Sequence, residues 1–428
     1  MKGYLFLASF LVYAAWRTTH VINALTRPDL PHEYFGTASG PKDASSQCSV
    51  LRGADNKLSY CEDQTFWEFE DAQGHVFDRK VVASCDPNRK NWNTVMGPLS
   101  SPDPLGGLWL VEYDRANASA KEMKLVDYPE RRDFHPLGVA IWPSKLGSTS
   151  NMFVVNHGRH RTTIEQFLLD PADPSSAKFI RTLSSKYFIS PNALALTSPS
   201  SFFVSNDHFM TRRLPSILGE ILPVIETFIG LPLGFISHVS IVNEAMPGAA
   251  IIRHTIPKLG ISFPNGIALS PDGQTLAVAS SSYTRVLFYN RTSNEDGTEK
   301  LTYAHAVSVP FAPDNVHYDD TGALLVAGHP YFPGLIAVAE NKTTEGSPSW
   351  VAELTPRTQG GASVRSFDLD APFSATQRVK AAASHGLTTL YQSDGSKFSG
   401  STTGLRDTRS GTLFVVGLFE EGLLICRP

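Results

Sequence analysis

Short runs rich in β-branched and aromatic residues recur along the chain, each broken by Gly, Pro, Asp or Ser. They include GGLWLVEYD from Gly106, SNMFVVNHG from Ser150, SFFVSNDH from Ser201, QTLAVASSSYTRVLFYN from Gln274, GALLVAGHP from Gly322 and GTLFVVGLFEEGLLICR from Gly411. Runs of this length between turn formers read as β-strands. Three of them share one phrase, a turn, then Gly, then an apolar strand: LSPDGQTLAVAS, YDDTGALLVAGH and DTRSGTLFVVGL. A turn–strand unit returning every ~40–60 residues predicts a β-propeller, in which each blade packs only on its neighbours. The period is too irregular for WD40 or kelch repeats. The length suits six blades, so the expectation is an all-β, six-bladed propeller occupying residues 26–428 as one domain.

Two segments leave this pattern. Residues 1–25 carry Lys2, an apolar run from Tyr4 to Trp16, and Arg17. That run is shorter than the ~20 residues a bilayer span needs and reads as a signal sequence or signal anchor. Leu214 to Ile236 places Leu214, Ile217, Leu218, Ile221, Leu222, Ile225, Phe228 and Ile229 at helical spacing, with Glu220 and Glu226 as the only charges. This predicts a helical insertion over 209–240, lying as a lid on the propeller's top face, with a kink or break at Pro223. The leader and residues 214–236 are the candidate contacts with a membrane or lipid surface, although the second lacks the basic face usual in such helices.

Composition narrows the class. The chain has 428 residues, 42% of them apolar and 18% charged, with a formal net charge of −4. That is ample core and no basic stripe, which argues against a nucleic-acid partner. Sequons at Asn117, Asn290 and Asn341 are candidate glycosylation sites on surface loops. With the leader they point to the secretory pathway, secreted or endomembrane-anchored. Cys48, Cys61, Cys85 and Cys426 allow three pairings. Geometry prefers Cys48 with Cys426, which would clamp the ends of a closed ring, leaving Cys61 to Cys85; four reduced, buried cysteines are the alternative.

The candidate chemistry sits just ahead of the strands. In a propeller the innermost strand of each blade points its first residues at the central channel, so polar side chains distant in sequence can converge there. Glu62 and Asp63 in SYCEDQTF, Asn192 in ISPNALAL, Asn265 in FPNGIALSPDG, and Asp314 with Asn315 in APDNVHYDD are all oxygen donors. Carboxylates and amide carbonyls form the shell that a hard cation such as Ca²⁺ requires, whereas zinc or copper would call for His and Cys. Each residue taken singly is also explained by an ordinary turn.

From Cys48 onward the order CSVLRGADN…CED, FHPLGVA, FVVNHGRHRTTIEQF, SPNALAL, SNDHFM, FPNGIALSPDG, APDNVHYD and GLLICRP resembles the serum paraoxonase/arylesterase family of calcium-dependent six-bladed propellers. The resemblance implies a catalytic Ca²⁺ held by Glu62, Asn192, Asn265, Asp314 and Asn315. It implies the Cys48–Cys426 bond and a leader that is often retained. A second, structural Ca²⁺ would use Asp63, the Val139 carbonyl and a third position that is Ala193 here, so that ion loses a carboxylate. The family's two catalytic histidines occur in F-x-P-H-G and V-V-N-H. The second is His157, but the first position is Leu137, with His135 two residues earlier and able on an extended segment to point to the same side. His208 and His329 match further histidines of the pocket wall.

The implied reaction is hydrolysis of lactones or aryl esters, with the metal polarising the carbonyl and an imidazole activating water. No G-x-S-x-G elbow offers a serine mechanism. The rival expectation is a catalytically weak, calcium-stabilised scaffold that binds lipid or protein. A third is a related propeller acting on sugar lactones with another divalent metal.

Overall fold

The computed structural model describes residues 2–26, 32–37, 46–53, 56–130, 132–242, 252–356 and 384–428. Strands dominate and assemble into six sheets of four or five strands, antiparallel except at two edges, where Lys124–Val126 runs parallel to Asp173–Leu183 and Ser144–Lys145 parallel to Cys61–Glu70. Each sheet is one blade, begun by an inner strand at the hub: Cys61–Glu70, Pro136–Ile141, Pro191–Ser198, Pro264–Leu269, Ala312–Tyr318 and Ser401–Asp407. Every run singled out in the sequence supplies one or two strands, among them Ser150–Asn156, Ser201–Asn206, Thr275–Ser280, Leu324–His329 and Thr412–Gly417, each second in its blade. Their central residues are buried, because a blade is covered on both faces by its neighbours.

The ring is closed by unlike ends of the chain. Cys48–Leu51 is the outer strand of the sixth blade, paired antiparallel with Leu423–Cys426 so that Cys48 faces Cys426. Cys48 is bonded to Cys426, and Cys61, paired opposite Cys85 in the first blade, is bonded to Cys85. The described residues contain no free cysteine. Cys48 is the first residue of its strand.

Helices occupy one end. A helix over Lys2–Leu25 (α1) extends beyond the apolar run at both ends. It docks through Tyr13, whose hydroxyl donates to the Ile229 carbonyl at 2.6 Å, and through Arg17, which donates to the carbonyls of Phe228 (3.1 Å) and Ile229 (3.0 Å). Those carbonyls end the second helix, Ser216–Ile229 (α2), where a cation is favoured by the helix dipole. α2 is shorter than the predicted insertion and passes through Pro223 unbroken. It stops at Gly230, left-handed at φ 69°, and the chain then enters the strand Gly234–Ile241. Phe235 and Ile236, counted with the helix from spacing alone, are buried strand residues; a short apolar run does not distinguish the two periods. A third helix, Phe332–Ala339 (α3), lies beside α2, with Phe332 against Phe228. Among the described residues no helix is long and apolar enough to cross a membrane.

Asn117, Asn290 and Asn341 are all exposed. Asn290 stands in the strand Arg285–Ser293 and not in a loop.

Because the Cys48–Cys426 bond spans 378 positions and joins the ring's ends, replacing both cysteines by serine should lower the free energy of unfolding by about 2–5 kcal/mol. A shifted urea midpoint would register this, and an unchanged midpoint would show that strand pairing alone holds the ring.

Candidate active site

All six inner strands share one irregularity, and in four of them it frees an oxygen donor, while in the second and sixth blades it frees Leu137 and Thr402. In those four the ladder is in register at Pro191, Pro264, Pro313 and Cys61 and resumes at Leu194, Ile267, Val316 and Asp63, with one extra residue on the inner strand each time. Such a bulge frees a side chain from the pleat and re-aims it. Proline suits the position because it has no N–H to lose from the ladder. The freed residues are Asn192, Asn265, Asp314 with Asn315, and Glu62, the oxygen donors expected from the sequence. Close approach between neighbouring inner strands makes this possible. A Cβ on Gly266 would lie 2.4 Å from the Asn315 Cα, and one on Gly138 would lie 2.2 Å from the Asn192 carbonyl oxygen.

Glu62, Asn192, Asn265 and Asp314 line one cavity of about 120 Å³ at the hub, together with His135, Leu137, His157 and His329. The two amides are held by their NH₂ groups. Asn192 Nδ2 donates to Asp207 Oδ2 at 3.3 Å, and Asn265 Nδ2 donates to Ser281 Oγ at 3.2 Å. A carboxylate only accepts, so the orientation of Asn192 is fixed. Asn192 Oδ1, Asn265 Oδ1 and Glu62 Oε2 are each buried without a hydrogen-bond partner. Asn315 stands behind Glu62, its Nδ2 donating to Glu62 Oε1 at 3.1 Å and to Thr403 Oγ1 at 3.0 Å. Unpartnered buried oxygens are rare and costly. Three of them beside Asp314 in one cavity fit a hard cation. No group of three or more His, Cys, Asp or Glu suited to a metal occurs among the described residues, so the amides are essential to this reading.

The surroundings of Asp63 do not fit a second ion. Its Oδ2 accepts the Val139 N–H at 3.0 Å. Its Oδ1 accepts the Gln64 N–H at 2.8 Å and the Thr403 hydroxyl at 3.1 Å, with His317 Nε2 at 3.4 Å. Donors occupy both oxygens, and Ala193 adds no ligand.

The histidines differ in what they leave free. His157 Nε2 lies 2.7 Å from the Pro191 carbonyl, which can only accept, so Nδ1 accepts from Thr94 Oγ1 at 2.5 Å. Both nitrogens are engaged, and burial holds the ring's pKa down to about 4. His329 Nε2 donates to Asp314 Oδ2 at 2.8 Å. His208, expected on the pocket wall, is bound instead to α2, its Nε2 2.7 Å from Thr227 Oγ1, and is not among the cavity's lining residues. His135 lines the cavity beside Leu137; its Nδ1 meets Asp86 Oδ2 at 2.9 Å, and its Nε2 is buried without a partner.

Asp86, Arg89, Trp92 and Asp207 also line the cavity and were not singled out from the sequence. The signal for Asp86 was the turn CDPNR after a strand, which reads equally as a plain Asx turn. The cavity thus gathers four carboxylates, Glu62, Asp86, Asp207 and Asp314, against the single guanidinium of Arg89. Burial pushes the Glu62 carboxyl well above the usual range, and Asp314 and Asp63 add to the shift while Arg89 opposes it. A divalent cation would remove this penalty.

The arylesterase family profile matches residues 97–359. The chain belongs to the arylesterase family. Among relatives, serum paraoxonase/lactonase 3 of Oryctolagus cuniculus is 24% identical over 234 residues, 54% of this chain and 60% of the relative. Serum paraoxonase/arylesterase 2 of Gallus gallus is 26% identical over 232 residues, 54% and 59%. Serum paraoxonase/lactonase 3 of Rattus norvegicus is 23% identical over 328 residues, 76% and 79%. The chain spans about three fifths of the length of the first two. It is a divergent member of this family. A gluconolactonase structure from Xanthomonas campestris overlays on 94% of this chain and all of its own at a TM-score of 0.40 and 15% identity, too distant to bear on the chemistry.

Replacing Gly266 with Ala should force the Asp314–Asn315 bulge outward, destabilise the fold by about 1–3 kcal/mol and weaken divalent-cation binding. Calorimetric titration of Ca²⁺ checks the second effect; unaltered affinity would separate this bulge from the cation site.

Proposed function

We propose that this family member is a calcium-dependent hydrolase of lactones or aryl esters whose cation is held at the hub by Glu62, Asn192, Asn265 and Asp314, with Asn315 supporting Glu62. The observation that carries the reading is the convergence of three unpartnered buried oxygens on a cavity that also holds an unbalanced set of carboxylates. When bound, Ca²⁺ supplies a Lewis acid for the substrate carbonyl and neutralises the charge that develops on its oxygen. The chain's own groups do the rest. Leu137, Phe332 and Leu335 line the cavity with apolar surface that suits the acyl part of a small ester and limits water. A buried imidazole on the wall accepts the proton of the attacking water. Asp207 and Ser281 keep the Asn192 and Asn265 oxygens turned inward.

Substrate reaches this cavity past the helical end of the propeller. Ile217, Leu218, Ile221, Val224 and Ile225 of α2 are exposed, as are Leu7, Phe10, Leu11 and Trp16 of α1. These outward apolar faces are the basis for a lipid-surface contact and for a life in the secretory pathway, with which the two disulfides agree.

A second reading, a calcium-stabilised propeller with little turnover, is favoured by Leu137 at the family's histidine position and by the engagement of both His157 nitrogens. One experiment separates the two. Purified protein is assayed on γ- and δ-lactones and phenyl acetate, with and without EGTA, and its melting temperature is followed in parallel. The hydrolase reading expects turnover that EGTA abolishes and added Ca²⁺ restores, together with a chelator-induced fall in melting temperature from lost binding. No turnover with the same thermal shift supports the scaffold, and turnover indifferent to chelation overturns the metal's role. Glu62→Gln should weaken Ca²⁺ binding by at least about tenfold, since it removes one of only two carboxylates proposed for the site.

A further inference from the structure

Hydrolysis at the hub needs a base, and three imidazoles border the cavity. His157 has no free nitrogen, as its Nε2–H and Nδ1 are committed to Pro191 and Thr94. His329 has an unpartnered nitrogen, but it is Nδ1, next to the ring carbon that carries Cβ, and its Nε2 is spent on Asp314. His135 alone leaves Nε2, the far tip of the ring, without a partner, with Nδ1 held by Asp86 Oδ2 at 2.9 Å. We propose that His135 is the general base of this cavity and Asp86 its positioning residue, a dyad that takes over the task left vacant at Leu137. The inference rests on the hydrolase reading given above.

The dyad is built, not incidental. Asp86 and His135 are 1% and 2% exposed, so each needs the other's hydrogen bond. Asp86 Oδ1 accepts the Asn88 N–H at 2.9 Å, which fixes the carboxylate and leaves Oδ2 for the imidazole. Because the carboxylate accepts, the neutral ring carries its proton on Nδ1 and its lone pair on Nε2. Trp92 packs on the ring, and two further hydrogen bonds hold the backbone that carries it. The His135 N–H donates to Asn156 Oδ1 at 2.9 Å, Trp92 lies against the ring at 5.5 Å between centroids, and Arg89 Nη2 donates to the adjacent Pro136 carbonyl at 2.9 Å. Asp86 follows Cys85 directly and Glu62 follows Cys61, so the bonded pair Cys61–Cys85 carries the dyad's acid and a cation ligand on one rung of the first blade.

The step balances with water as the only co-reactant. His135 Nε2 takes one proton from water as the water oxygen bonds to the carbonyl carbon and the C=O π pair moves onto the carbonyl oxygen. On collapse that pair re-forms the C=O bond, the bond to the leaving oxygen breaks, and the imidazolium returns its proton to that oxygen. A lactone gives a hydroxy acid, and an aryl ester gives an acid and a phenol. Asp86 stays a carboxylate throughout and steadies the imidazolium.

Asp86→Asn tests the assignment with little disturbance of the turn. Asn keeps an acceptor for the Asn88 N–H but offers NH₂ to His135 Nδ1, which drives the ring to the Nε2–H tautomer. The expected result is a fall in kcat of about 10²-fold or more with KM changed by less than about twofold, and His135→Gln should match it. His135→Ala should regain part of its rate from added free imidazole. Nitrogen NMR of histidine-labelled protein should show the neutral His135 ring carrying its proton on Nδ1 in the wild type and on Nε2 in Asp86→Asn, and calorimetric Ca²⁺ affinity should hold in both. Wild-type kcat in either Asp86→Asn or His135→Gln, or a protonated Nε2 in the neutral wild-type ring, overturns the dyad alone. Absence of chelator-sensitive turnover in the wild-type protein overturns the hydrolase reading, and the dyad with it.

Discussion

Four carboxylates share the hub cavity with one guanidinium, and a water-poor interior does not hold that surplus of negative charge on hydrogen bonds alone. Much of the surrounding architecture follows from how the chain manages the surplus. Amide NH₂ groups are tied back to Asp207 and Ser281, so amide oxygens, and not donors, face the cavity. Asn315 gives its donors to Glu62 and Thr403. Arg89 is braced on the backbone carbonyls of Tyr60 and Pro136, close enough to Glu62, Asp86 and Asp314 to offset part of their field. Asp63, one residue beyond Glu62, is satisfied by protein donors, which confines the case for a cation to one place.

The same bulge occurs at the hub end of all six blades, and four of them use it to turn oxygen-bearing side chains inward. A regular inner strand alternates its side chains between the two blade interfaces, where oxygen donors have no use. One extra residue after Pro191, Pro264, Pro313 or Cys61 breaks the alternation at the hub end, and Leu194, Ile267 and Val316 then resume the apolar packing of their strands. Stability and chemistry are thereby separated along each strand. Val316, Ile267 and Leu194 belong to the core while their neighbours serve the cavity.

Much of this was legible in the sequence. The period of strands and turns gave six blades, and the polar residues at strand entries gave Glu62, Asn192, Asn265 and Asp314, because both signals are local. What escaped were features set by tertiary packing. Phe235 and Ile236 have the apolar spacing of α2 but are claimed by a blade, and Asn290 looks like a loop residue but sits on the exposed face of a strand. The pairing of Asp63 with the Val139 amide, and the commitment of both His157 nitrogens, depend on neighbours up to 76 positions away. Asp86 and Arg89 were hidden in a turn whose composition has an ordinary local explanation. Only the folded chain shows that the turn faces inward.

Ring closure has a consequence for synthesis. The strand that seals the sixth blade is Leu423–Cys426, and its partner, Cys48–Leu51, is made nearly four hundred residues earlier. A ribosome therefore releases Glu62, Asn192, Asn265 and Asp314 well before the circle they line can shut. Until Leu423–Cys426 emerges the ring has no partner for Cys48–Leu51, and the hub cavity stays unenclosed.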